Sequence, residues 1–340
     1  MLNFSRRRLL IAALVSGTGL SSAALAGDGR LIVDPDSPYL FSDTDQAAAD
    51  PNSNVVLRGS VGYASITARE HVYAGSSGDD NLSLLVWESQ APIANVDVKL
   101  RLPDGWTLRG HIDAALLGDS VMTDYDWTSF SPSYQFNDWD HRSISPNTSL
   151  DWYLKGDIAL GRDLPISEAL TVNVNGGLSY TDVEWTAVGG TYVYSVGGFR
   201  DTVGTIPNVP AVRYRQQLPT IFAGLDATVS DGPWDLEAGA RAGLIVYGQS
   251  VDHHYLRTPP EYITDNLTFG QMVSAEAKIE YNFTDHLGAY LSGAYDKMFA
   301  GHMPTDYRQI SDGSLILHDD SIGGAELDAW SVTAGVKGRF

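Results

Sequence analysis

Two short stretches stand out for what their residue types and spacing could do together, Met122-Thr123-Asp124-Tyr125-Asp126-Trp127 and Ser250-Val251-Asp252-His253-His254-Tyr255. Residues two apart in extended chain share a face. Asp124 with Asp126, and Asp252 with His254, therefore each form a couple pointing one way. A carboxylate beside an imidazole fixes its tautomer and raises its basicity. An imidazole so held can take a proton from water and direct the hydroxide at a peptide carbonyl. Bland readings stand beside this one. A lone Asp-x-Asp in an acidic loop is as a rule a solvated or ion-binding turn, and a lone Asp-x-His says little more. The chemistry needs a scaffold that brings both couples to one water.

The scaffold is written as alternation with period two. Trp106, Leu108, Gly110, Ile112 and Ala114 alternate with Thr107, Arg109, His111 and Asp113. Trp234, Leu236, Ala238, Ala240 and Ala242 alternate with Asp235, Glu237 and Arg241, and Val273 to Tyr281 alternates with Ser274, Glu276, Lys278 and Glu280. A strand puts all these charges on one face, where a helix would scatter them. The runs reach roughly the 9–11 residues of a membrane-crossing strand. Full charges facing a wet lumen cost little, whereas facing a sandwich core they would be prohibitive. Aromatic residues near run ends (Trp87, Trp106, Trp152, Trp185, Trp234, Tyr281) suit interfacial girdles, and the last run, from Trp330, stops on Phe340. Short turns are expected at Ala91-Pro92, Pro103-Asp104-Gly105, 161–165, Asp231-Gly232-Pro233 and Thr284-Asp285. Longer polar segments near 74–80, 118–148, 186–212, 248–266 and 300–325 read as loops. The fold expected is an all-β transmembrane antiparallel barrel of about ten strands, with long extracellular loops and short periplasmic turns.

The chain's start and charge agree with that setting. Residues 1–26 carry Arg6, Arg7 and Arg8, an apolar stretch and a closing Ala24-Leu25-Ala26, the pattern of a secretory signal peptide. The arginines also resemble a twin-arginine signal, but a barrel inserted from unfolded chain needs the other route, so they read as an ordinary basic region. Residues 27–53 form an acidic, poorly ordered leader, and 54–340 the barrel. Removing the three arginines takes the formal charge from −20 to −23. So acidic a chain is not expected to bind nucleic acid; it suits basic peptides. There is no cysteine among the 340 residues, so the fold needs no disulfide. No cofactor and no metal site are expected, and the chain reads as a monomer.

From about Asn54 to Phe340 the sequence resembles the omptins, outer-membrane endopeptidases. The resemblance rests on Asp124-Tyr125-Asp126-Trp127 and the stretch from Asp138 to Asp151 with Arg142, Pro146 and Thr148. It continues through Gly189-Gly190-Thr191-Tyr192, Gly198-Phe199-Arg200-Asp201, Pro207-Asn208 and Asp252-His253-His254-Tyr255 to the closing Val336–Phe340. It implies a catalytic set of Asp124, Asp126, Asp252 and His254 facing the cell exterior. Asp252 would orient His254, and the aspartate couple would bind the water or the developing oxyanion. No acyl-enzyme and no serine nucleophile are implied.

Substrates with basic residues are implied too, held by acids deep in a groove. Glu70 stands at the matching place on the first strand, with Asp138 adding potential at a neighbouring subsite. The companion acid, two residues before the Asp-x-His couple, is Ser250 here. Losing one carboxylate should weaken the hold on Arg or Lys by about 1–3 kcal/mol. The family's lipopolysaccharide site falls on Leu178, Tyr180, Asp182 and Gln217, a departure that puts dependence on that lipid in doubt. His111, with Asp113, reads as part of a lumen network. His302 and His318 read as solvated, and His253 as pointing away from His254. The rival reading is a non-enzymatic barrel, an adhesin or structural protein. A pore is disfavoured because inward positions from Asp97 to Glu237 mix signs and would pair.

Overall fold

The computed structural model describes residues 54–75 and 78–340. The expected signal peptide, 1–26, and leader, 27–53, lie outside the described residues. The strands are β1 (Val55–Tyr73), β2 (Asn81–Arg101), β3 (Trp106–Ala115), β4 (Asp119–Asp126), β5 (His141–Pro165), β6 (Leu170–Tyr194) and β7 (Thr202–Asp231). They continue as β8 (Trp234–Ile245), β9 (Gln249–His254), β10 (Glu261–Asn266), β11 (Gln271–Asn282), β12 (Leu287–Gln309) and β13 (Leu315–Arg339). Three pairs are interrupted staves: β3 with β4 between β2 and β5, β8 with β9 beside β7, and β10 with β11 beside β12. The 13 strands thus make ten antiparallel staves, and β1 closes the ring on β13. Closure gives each stave a hydrogen-bonded neighbour on both sides, as hydrocarbon requires.

Several staves far exceed a membrane crossing, β7 running 30 residues and β5, β6 and β13 each 25. The faces explain why. On the lower half of β1 the outward residues are Leu57, Val61 and Tyr63, all exposed, while Arg58 and Ser60 are buried inside. Above Tyr63 the phase inverts. Ala64, Ile66 and Ala68 now fill the interior, and Thr67, Arg69 and His71 face out. The register mate β13 does the same, with Trp330, Val332 and Val336 outward below and Ala325, Leu327 and Ala329 buried above. Lipid demands apolar outside and tolerates polar inside, whereas water outside demands the reverse. The molecule is a membrane barrel continued upward as a water-facing one.

The lower lumen is filled by ion pairs. Arg58 reaches Asp97 at 2.9 Å and Glu280 at 2.5 Å, and Arg109 reaches Asp97 at 2.6 Å and Glu276 at 3.1 Å. Lys155 holds Asp296 at 2.6 Å, and Arg241 holds Asp157 at 3.1 Å. His111 lies 2.9 Å from Asp113 within this network. Cavities of about 40 and 20 Å³ remain between these groups, room for isolated waters rather than a channel.

Four expectations are corrected. Ala91-Pro92 is not a turn but lies inside β2, with Pro92 facing out opposite Tyr63. Residues 161–165 belong to β5, and the chain turns after Pro165. Much of the polar segments read as loops is strand in the inverted phase above the lipid, so connections such as 195–201 and 310–314 are short, while 127–140 remains a long loop. Trp87 and Trp185 form no girdle. Both are fully buried in the upper barrel and stack with Tyr214, whereas Trp106, Trp234 and Tyr281 are exposed near the lower rim.

Candidate active site

The upper core is the floor on which the site stands. Ile66, Leu85, Trp87, Met122, Trp185, Tyr214, Leu218 and Leu327 pack across the lumen, and Trp185 Nε1 donates to Ser89 Oγ at 2.7 Å. Each stave then places its acid one inward step above an apolar or small residue. Glu70 follows Ala68 on β1, Asp124 follows Met122 on β4, and Asp252 and His254 follow Ser250 on β9. Glu70 and Asp124 are both register partners of Leu85, so they stand level on either side of β2.

Glu70 and His254 line one cleft of about 200 Å³, with Asp124 and Asp252 buried behind its surface. Its walls include Glu70, Ser83, Asp126, His254, Arg257, Ile263 and Tyr307. His254 Nε2 lies 2.5 Å from Asp252 Oδ2, with both side chains almost wholly buried. Asp124 Oδ1 is buried with no hydrogen-bond partner. Burial first, then the neighbouring Asp126, holds the Asp124 carboxyl well above the usual aspartate range, and burial raises Asp126. Glu70, only 2 % exposed, is pushed well up by burial and next by Asp252 and Asp265. So many acids in a nearly dry cleft share protons or await a cation.

The flanking loop fixes the aspartate couple. Asp140, fully buried, accepts from Thr128 N at 2.8 Å, Thr128 Oγ1 at 2.6 Å and Phe130 N at 3.0 Å, and Asp140 N donates to Asp126 O at 2.9 Å. Trp127 and Trp139 bury beside Leu84 in a small core of their own. Arg200 lies over the Trp139 ring at 3.5 Å and donates to Trp139 O and Asn137 O. The Gly198-Phe199-Arg200-Asp201 stretch is thus a clamp on the loop behind Asp126.

Of the residues singled out in the sequence, Glu70, Asp124, Asp126, Asp252 and His254 are brought to this one region. Asp138 is not among the cleft's lining residues. Its side chain accepts from Ser133 Oγ within the loop, and its carbonyl from Ser131 Oγ at 2.6 Å. His253 stacks outside on Tyr255 and Tyr262. His302 stacks on Tyr73, and His318 sits between Asp306 and Asp320. Three participants escaped the sequence reading. Arg257 lines the cleft while paired to Glu261, its charge facing Asp124 and Asp252. Tyr307 lines the far wall. Asp265, 2 % exposed, bonds Ser250 from the next strand.

A closed barrel with a lipid-facing belt and a cleft of buried carboxylates with one imidazole defines an outer-membrane protein built for hydrolytic chemistry rather than passage. A sequence profile of the omptin family matches residues 51–340, and the chain belongs to that family. It is 24 % identical over 320 residues to outer membrane protease OmpP of Escherichia coli K12, covering 89 % of this chain and 96 % of that one. It is 24 % identical over 337 residues to the plasminogen activator of Yersinia pestis, covering 95 % and 96 %. The fold matches the crystal structure of outer membrane protease OmpT from Escherichia coli with a TM-score of 0.76 at 21 % identity, covering 87 % of this chain and 99 % of that one. The protein is an outer-membrane protease of the omptin kind, embedded by its strands.

Proposed function

We propose that the chain is a surface endopeptidase that hydrolyses peptide bonds beside basic residues by activating water, its cleft open to the cell exterior. The observation that carries this reading is that Asp126, His254 and Glu70, from three different strands, line one cleft. Asp252 holds the His254 ring through Nε2, which leaves Nδ1 as the basic nitrogen, the ring orientation being assigned from this contact. A water between the couples gives its proton to Nδ1 while its oxygen attacks the scissile carbonyl carbon. The carbonyl oxygen gains the charge, and the protonated member of the Asp124–Asp126 couple donates to it. Collapse of the tetrahedral adduct returns the His254 proton to the departing amine. No covalent enzyme intermediate forms.

Glu70 accounts for the basic preference. A guanidinium or ammonium reaching the cleft floor meets a dry carboxylate, where a charge-assisted hydrogen bond is strong. Peptides and proteins with basic residues are the partners this implies, acting on a monomeric barrel whose need for lipopolysaccharide is open to the same assay.

The test is hydrolysis of a quenched peptide containing adjacent arginines by refolded protein. His254→Ala is expected to lower kcat by on the order of 10³-fold or more, as loss of a general base does, with barrel folding intact by its mobility on unheated gels. Normal cleavage by the folded variant would defeat the mechanism.

A further inference from the structure

The pocket beneath the cleft lacks the acid expected two residues before the Asp-x-His couple, since Ser250 stands there. A carboxylate stands across the ladder from it. Asp265 is the register partner of Ser250 across the β9–β10 ladder, and Ser250 Oγ donates to Asp265 Oδ2 at 2.8 Å. From the other side Thr305 Oγ1, on β12, donates to Asp265 Oδ1 at 2.7 Å. Room for both comes from Gly323 of β13. A Cβ there would lie 2.1 Å from Thr305 Oγ1 and 2.2 Å from Asp265 Oδ1. Gly323 is the register partner of Val72, two residues along β1 from Glu70. Gly323 thus stands one inward step above Glu70, whose own partner is Ala325, and the Asp265 carboxylate enters the interior there.

The donors around these acids are unequal. Asp265 has two hydroxyl donors, while among the described residues neither oxygen of Asp252 has a hydrogen-bond partner, although Oδ2 lies 2.5 Å from His254 Nε2. Glu70 Oε2, on a side chain 2 % exposed, has no donor among the described residues. A buried acceptor without a donor is costly until a ligand supplies one. Glu70 and Asp265 are near enough that each feels the field of other acids in the cluster, Glu70 that of Asp265 and Asp252. What would satisfy such a cluster is a cationic fork rather than a neutral donor.

We infer that Asp265 is the second acid of the substrate pocket, moved one strand across the ladder from position 250, and that it and Glu70 together take an arginine side chain of the substrate. This deepens the proposed function and rests on its reading of the cleft floor. Ser250 and Thr305 act as positioning residues, holding the Asp265 carboxylate with both oxygens fixed. An arginine suits the pair better than a lysine because its planar donors span two carboxylates.

The experiment separates pocket from catalysis by using a probe that is not cleaved. Butylguanidinium binding to the refolded full chain is measured by calorimetry, beside pentylurea as the uncharged control. Asp265→Asn and Glu70→Gln are each expected to weaken butylguanidinium binding about 10–100-fold, the range of one charge-assisted hydrogen bond, and to leave no preference over pentylurea when combined. Ser250→Asp with Asp265→Ser returns the acid across the ladder at equal charge and is expected to restore binding to within about threefold. If folded Asp265→Asn binds butylguanidinium as tightly as the unaltered protein, or the swap alone stays folded and does not bind, the inference is overturned. Binding that depends on Asp265 in a protein that cleaves no peptide supports the pocket and defeats the endopeptidase reading. Cleavage whose Arg-over-norleucine ratio ignores Asp265→Asn does the opposite.

Discussion

At the scale of single residues, Arg257 is the cation that the acidic cleft carries for itself. It is tethered to Glu261, four residues on, yet its charge reaches Asp124, Asp126 and Glu70 and lowers the proton affinity of each against the raising effect of burial. The sign of its removal follows. Without Arg257, these carboxyls hold their protons to higher pH. The acid limb of kcat/KM, which reports ionisation of the free enzyme, must then rise in pH. The alkaline limb, if set by loss of the proton shared between Asp124 and Asp126, moves the same way. Arg257→Gln is therefore expected to displace the whole pH profile toward alkali, by a few tenths to one unit given a partly exposed charge. A profile measured from pH 4 to 10 on the quenched peptide checks this. An unmoved profile would mean solvent screens Arg257 from the site.

At the scale of elements, the inverted upper barrel is what turns an ordinary membrane cylinder into a rigid seat for chemistry. Trp87, Trp185 and Tyr214 stack with ring centroids 5.7–6.3 Å apart, directly under staves that carry Glu70, Asp124 and Asp252. Trp185→Ala is expected to destabilise the folded barrel by about 3–5 kcal/mol, the usual cost of a large cavity in a core. It should also lower kcat though Trp185 does not line the cleft, whereas Trp185→Phe keeps most of both. Urea unfolding in detergent and peptide hydrolysis measure the two effects. The same inversion explains what the sequence disclosed. Alternation in the lipid belt was legible because hydrocarbon outside and charge inside leave a loud pattern in runs such as 273–281. Above the belt the pattern continues in the opposite phase, with charged residues such as Arg69 and Glu326 outside, so strand there reads as polar loop. Trp87 and Trp185 were misplaced for that reason. The two candidate couples are legible because their members are two apart on one strand. Asp265 is not, because its link to Ser250 spans 15 residues of hairpin and exists only in the register of β9 against β10.

At the scale of the whole molecule, charge and apolar packing occlude the cylinder at different heights. Ion pairs occupy the lipid-spanning part, the aromatic core closes the part above, and the cleft opens only upward. Lys337 shows how closely the lower part is balanced. Its side chain is 2 % exposed, with Nζ 2.5 Å from Glu280 Oε2 and 3.3 Å from Asp235 Oδ2, while Arg58 holds Glu280 from across the lumen at 2.5 Å. Two consequences separate a plugged scaffold from a pore. The unaltered protein in a planar bilayer is expected to show no steady conductance step, since among the described residues ion pairs and the aromatic core fill the lumen between the small lower cavities and the cleft. Lys337→Met, which strips a cation from two carboxylates within the lumen, is expected to destabilise the barrel by about 3–5 kcal/mol. Adding Glu280→Gln should recover part of that loss, because the uncompensated charge and not the missing contact dominates. A double-mutant cycle by urea unfolding reads that coupling. Steady conductance in the unaltered protein, or strictly additive losses in the cycle, would show that the lumen is wetter and looser than these distances require, and the cleft would then lose the dry floor on which its chemistry depends.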